Sequence, residues 1–109
     1  MHHMTVQEKY YRLLKTGKKT IELRLFDQKR KKIKPGDAIL FTNASDLTEC
    51  FQATVVQLHH ASCFTELCQK ITPAQAGFSS VTELTEVLEQ FYPLSSQNQF
   101  GVVGIEISV

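Results

Sequence analysis

Apolar and polar positions along the 109 residues change period several times, and each change marks an element. Thr5-Val6-Gln7-Glu8 has the form of a capping box, with a Thr followed three residues later by a Glu. Val6, Tyr10, Leu13 and Leu14 then recur at helical spacing, and Gly17 supplies a left-handed stop. The pattern predicts a helix over residues 6–16. From Lys19 to Leu25 the period drops to two. Ile21, Leu23 and Leu25 face a core, and Thr20, Glu22 and Arg24 share the other face of a half-buried strand. A charged connection over 27–34 leads into the turn Lys34-Pro35-Gly36-Asp37, whose Pro and Gly suit type II. A short buried strand over 38–41 and a polar loop over 43–47 follow.

Residues 49–60 read as a long strand, with Phe51, Ala53, Val55 and Leu58 its apolar positions. The alternation slips at Val55-Val56, which predicts a bulge. Phe64 to Lys70 suits a short helix, and Thr72-Pro73-Ala74-Gln75 a second helical start that Gly77 ends. Ser80-Val81-Thr82-Glu83 is another capping box, and Leu84, Val87, Leu88 and Phe91 carry its helix to Pro93. A last strand runs over 100–107. Strands interrupted by helices at two places predict an α+β domain, a small barrel of mixed or antiparallel strands with two to four short helices. The length fits one domain over 1–109.

Composition narrows the class. The chain is 42% hydrophobic and 21% charged, ordinary for a globular domain. No apolar run approaches the ~18 residues of a membrane span, and Met1-His2-His3-Met4-Thr5 lacks a signal-peptide core, so the expected location is the cytoplasm and no membrane partner is expected. The three cysteines, Cys50, Cys63 and Cys68, are odd in number and lack CxxC spacing, which predicts reduced thiols, at least two of them in the core. His59 and His60 are adjacent on a strand and point apart, and His2 and His3 fall in an expectedly mobile terminus, so no metal is expected; with no P-loop, dinucleotide fingerprint or nucleophile elbow in the chain, no cofactor is expected either.

Net charge is +1, but residues 1–34 hold eleven Lys/Arg against three acids, a net +8, and residues 35–109 hold one Lys against eight acids, a net −7. Such a split suits a basic surface meeting an anionic partner, or two halves that neutralise each other when folded. The densest part is Lys29, Arg30, Lys31, Lys32 and Lys34, which suits phosphate contacts along a nucleic acid or a solvated loop.

The stretch Leu14-Lys15-Thr16-Gly17-Lys18-Lys19-Thr20-Ile21-Glu22-Leu23-Arg24 resembles the signature of the ASCH domain family, G-x-K-T-x-E-x-R after a helix. Ile33-Lys34-Pro35-Gly36-Asp37-Ala38-Ile39-Leu40-Phe41 resembles the family's next segment, and Phe91-Tyr92-Pro93 with Gly101–Ile107 its closing helix and strand. The resemblance implies a PUA-like barrel with a cleft between the first helix and the strand of Glu22 and Arg24, and a ligand that is RNA or nucleotide-like. One small bacterial branch hydrolyses acetylated cytidine with a Lys, a Thr and a Glu. Lys19 matches that Lys, Glu22 stands where the Thr would be, and Ala76-Gly77-Phe78 has no acid where the Glu would be.

On these grounds Lys18, Lys19, Thr20, Glu22, Arg24 and Tyr11 are the expected ligand-binding residues. Arg24 would grip a phosphate or base edge and Glu22 would accept from an exocyclic amine; the pair is equally read as a structural ion pair. Tyr10 lies on the helix's apolar stripe and is expected in the core, whereas Tyr11 lies off it and is the better stacking candidate. Were the chain an enzyme, Lys19 and Glu22 would be its catalytic candidates. A binding module, an amidohydrolase for an acylated nucleoside, and a protein-interaction module with an acidic partner are the three readings.

Overall fold

A computed structural model covering residues 1–109 places a strand before the first helix. His2–Val6 forms β1, with Met4 and Val6 buried and Thr5 exposed between them. The first capping box does not form: Gln7 is the N-cap without a side-chain bond, and helix α1 spans Glu8–Lys15. Burying an apolar side chain is worth roughly 1.5–3 kcal/mol. A helix cap contributes about 1 kcal/mol, so the strand prevails over the cap. The terminus is anchored rather than mobile, and His2 Nε2 lies 2.8 Å from Asp37 Oδ2.

Four more strands follow: β2 (Ile21–Leu25), β3 (Ala38–Asn43), β4 (Asp46–Ala61) and β5 (Val102–Ser108). Their order across the sheet is β1-β3-β4-β5-β2, with β1 parallel to β3 and the other pairs antiparallel. The residues between β3 and β4 make a tight hairpin in place of the expected polar loop, with Ser45 N donating to Asn43 Oδ1. The expected bulge is present: the β4–β5 register shifts between Val55 and Gln57. Helices α2 (Phe64–Leu67), α3 (Val81–Phe91) and α4 (Leu94–Phe100) lie between β4 and β5. α3 has the expected cap, Glu83 N donating to Ser80 Oγ. α4 has no apolar stripe to announce it. Its buried Gln97 accepts from Phe64 N and donates to Tyr92 O, so tertiary hydrogen bonds hold it.

The sheet curls into a half-barrel in an α+β fold, PUA-like in architecture. One core cluster, including Phe41, Val55, Val103 and Ile105, is joined by Tyr11 and Leu14 of α1. A second, including Ile21, Leu23, Phe64 and Leu84, packs the other face of β2 and β5 against α2 and α3. Both faces of β2 are therefore covered, whereas its alternation had suggested one. No cysteine is fully buried: Cys50 is exposed, and Cys63 and Cys68, at the two ends of α2, are half-buried, with Cys68 alone of the three packed against the second cluster. No helix is long and apolar enough to cross a membrane.

Candidate functional site

The half-barrel leaves β1 and β2 as its two edges, with no backbone ladder between them. Arg24 spans the seam: its Nη2 donates to Thr5 O on β1 at 3.2 Å. A cavity of about 230 Å³ opens along this seam, between β1 and β2, the start of α1 and the C-terminal half of α3. Its walls are largely apolar and aromatic, with Tyr10, Phe78, Phe91 and Tyr92 among them.

Its floor is charged. On β2, Glu22 lies opposite Ile105 and Arg24 opposite Val103, so both point to the barrel-interior side of the sheet. Lys19 joins them although its strand parity differs. It precedes β2, and its N–H bonds to Leu13 O at the end of α1, so strand alternation does not govern it. Lys19 Nζ lies 3.2 Å from Glu22 Oε1, and Arg24 Nε donates to Glu22 Oε2 at 2.8 Å. Lys19 also donates to Ala76 O at 2.7 Å and stands 5.1 Å from the centre of the Tyr10 ring. Gly77, with φ +88°, ends the short 3-10 turn Ala74–Ala76 and turns the chain beside the Lys19 stem.

Lys19 is 3% exposed and Glu22 6%, so each charge persists only through its partners. Burial pushes the Lys19 ammonium below the ordinary lysine range, with Glu22 partly offsetting it. Burial alone would raise the Glu22 carboxyl, but Lys19 and Arg24 outweigh it and hold the group below the usual carboxylate range. Burial works to lower the Arg24 guanidinium and Glu22 more than offsets it, so its pKa is raised. Lys19(+), Glu22(−) and Arg24(+) leave the floor with one net positive charge.

The other expected residues are placed elsewhere. Lys18 is exposed and Thr20 half-buried, and neither lines the cleft; Thr20 instead joins Gln75 O and Ile107 N through its backbone. The two tyrosines exchange roles. Tyr11 is fully buried, edge-on to Phe51 with ring centres 5.3 Å apart, and cannot stack on a ligand. Tyr10 lines the cleft. Counting Val6 as helical had rotated the apolar stripe: Val6 lies on β1, and the buried face of α1 runs through Tyr11 and Leu14. The contributions of Phe78, Val87, Leu88 and Phe91 were hidden because an apolar wall and an apolar core leave the same pattern in a sequence.

Lys29, Arg30, Lys31, Lys32 and Lys34 lie outside the cleft, on and around a 3-10 turn over Arg30–Lys32. Arg30 is tied to Asp27 at 3.0 Å, while the four lysines have no acidic partner within 4.0 Å. Of the Lys/Arg ion pairs, only Arg12–Glu49 joins the basic and acidic stretches of the chain. No three His, Cys, Asp or Glu side chains come together as a metal site. His59 pairs with Glu106 at 2.9 Å, and His60 stands edge-on to Phe26.

The ASCH domain family model matches residues 4–109. The chain is 38% identical to the hypothetical protein PH0355, whose crystal structure superposes with a TM-score of 0.85 over 97% of this chain and 95% of that one. It is 34% identical to protein PF0455 of Pyrococcus furiosus, whose solution structure gives a TM-score of 0.77 over 98% and 94%. No curated protein matches.

Proposed function

The chain belongs to the ASCH domain family, and on that premise we propose that it binds RNA or a nucleotide-like ligand, one base at a time, in the cleft at its barrel seam. The family is linked to RNA binding through its PUA-like fold. The observation that carries the reading is the pairing of aromatic walls with a donor-rich cationic floor. A base is a flat apolar body with a polar edge, and such a cleft offers a surface for each. The cavity's 230 Å³ falls below the roughly 300–1,000 Å³ of drug-sized sites, which suits a single base or nucleoside.

Titration with nucleosides and short single-stranded RNA, followed by NMR, tests this. Phe91 lines the cleft yet is 54% exposed, so Phe91→Ala leaves the core intact. It should weaken binding about thirtyfold, the middle of the range for one base–aromatic stack. Absence of binding, or shifts confined to residues far from the seam, would reject the cleft.

The same geometry speaks for binding rather than hydrolysis. Both Glu22 oxygens are engaged by cations, and the turn at Ala76 offers Lys19 a carbonyl and no carboxylate. Glu22, held as a carboxylate between two cations with its pKa lowered, is a poor proton carrier for general acid–base work. Incubation with acetylated cytidine should therefore release no cytidine above background. Release that Lys19→Ala abolishes would overturn this.

A further inference from the structure

We infer that the cleft floor selects guanine, by reading a base edge on which a carbonyl oxygen lies beside an unprotonated ring nitrogen. This rests on the binding reading above and sharpens it. The reason is a count of donors and acceptors. A guanidinium has five N–H groups. Arg24 gives Nε–H to Glu22 and one Nη2–H to Thr5 O, which leaves both Nη1–H groups and the second Nη2–H without a protein partner. An ammonium has three. Lys19 turns to Ala76 O and Glu22, which leaves one. Each acceptor of the floor already holds one of these donors. Each Glu22 oxygen faces a cation inside a residue that is 6% exposed, and the Ala76 and Thr5 carbonyls accept from Lys19 and Arg24.

The floor thus presents donors in excess, and the remaining lone pairs of Glu22 lie between the two cations in a residue that is 6% exposed, so an amine brought against Arg24 and Lys19 meets N–H with N–H. Glu22 positions the two cations and does not itself read an amine. Guanine's O6/N7 edge carries two adjacent acceptors and is the usual bidentate partner of Arg. Adenine puts its amine where guanine has the carbonyl. Cytosine has an acceptor pair, but its amine lies on the same edge and would face the second cation. Uracil carries a ring N–H between its two carbonyls. A phosphate would also accept from these donors. However, the walls are mainly apolar, and stripping a phosphate of water against them is costly.

Calorimetric titration of the whole protein with guanosine, 7-deazaguanosine, adenosine and inorganic phosphate decides the matter. 7-Deazaguanosine replaces N7 by C–H and keeps the ring shape. It should bind about tenfold more weakly than guanosine, and adenosine at least as weakly, given the value of one bidentate pair. Arg24→Lys keeps the charge but loses the fork, so it should erase most of the difference between guanosine and its deaza analogue. Equal affinity for guanosine and 7-deazaguanosine, or adenosine as tight as guanosine, overturns the edge-reading inference and leaves the binding reading standing. Phosphate binding more tightly than guanosine overturns it in favour of an anion site. Failure of every nucleoside and RNA to bind overturns both.

Discussion

Glu22 is the residue on which the site turns. It is buried between two cations at 3.2 and 2.8 Å, and each of those charges relies on it. Removing one member of a buried ionic cluster costs about 3–5 kcal/mol, because the others are left uncompensated. Glu22→Ala should lose stability on that scale in urea unfolding. Arg12→Ala, at an exposed pair, should leave the midpoint nearly unchanged. The pH dependence follows from the lowered carboxyl pKa. The unfolded chain takes up this proton first, near the ordinary Glu value of about 4.3. The Glu22 contribution is therefore complete above that value and is lost as pH falls through the lower value of the folded state. Unfolding free energies measured from neutral to acid pH should show this loss in the parent and less of it in Glu22→Gln. Tyr10 and Tyr11 are neighbours of one chemical type, and a helix start shifted by two residues exchanges wall for core.

At the level of elements, the site depends on two short irregular pieces. The turn that ends at Gly77 places Ala76 O on Lys19, and the residues before β2 let Lys19 leave strand parity. Gly77 has φ +88°, and a Cβ there would lie 3.1 Å from Lys19 Cδ. Gly77→Ala should cost about 1–2 kcal/mol for the left-handed backbone. It should also weaken ligand binding by displacing Lys19. Gly36 is the matched control: its φ is +91°, and nothing lies within 4 Å of a Cβ built there. Gly36→Ala should show the stability loss and leave affinity alone. Urea midpoints and nucleoside titrations on the two variants separate backbone strain from damage to the site.

Across the whole molecule, the charge split is not cancelled by folding. Lys29, Lys31, Lys32 and Lys34 find no acidic partner. Arg12 alone, among Lys and Arg, pairs with an acid of the acidic stretch. If the run tracks phosphates beyond the cleft, single-stranded RNA should bind with steep salt dependence. Each phosphate neutralised contributes a slope of about −0.7 in log K against log salt, so three to five contacts give roughly −2 to −3.5. Lys31→Ala with Lys32→Ala should flatten that slope by up to about 1.4. Phe91→Ala should lower affinity at every salt concentration and leave the slope unchanged. Anisotropy measured across a salt series checks both. A flat dependence in the parent would leave the run a solvated turn.

Elements that announce themselves by period or by punctuation were legible along the chain. These are β2 from its alternation, the β4 bulge from its slip, α3 from its capping box, and a short helical turn between Pro73 and Gly77, which folds as 3-10. The signature from Leu14 to Arg24 also marked the family that the match over residues 4–109 shows. These features are local, so neighbours in the chain suffice to specify them. Features that depend on distant partners arise only when the chain folds. β1 exists because β3 offers it a ladder. α4 persists because Gln97 reaches Phe64 and Tyr92. Both faces of β2 are covered because the barrel interior lies on one side and α2 and α3 on the other. The cleft belongs to this second kind. It is the gap between the two strands at the ends of the sheet order, β1 and β2, and a residue's place in the sequence does not disclose which strands will be the edges.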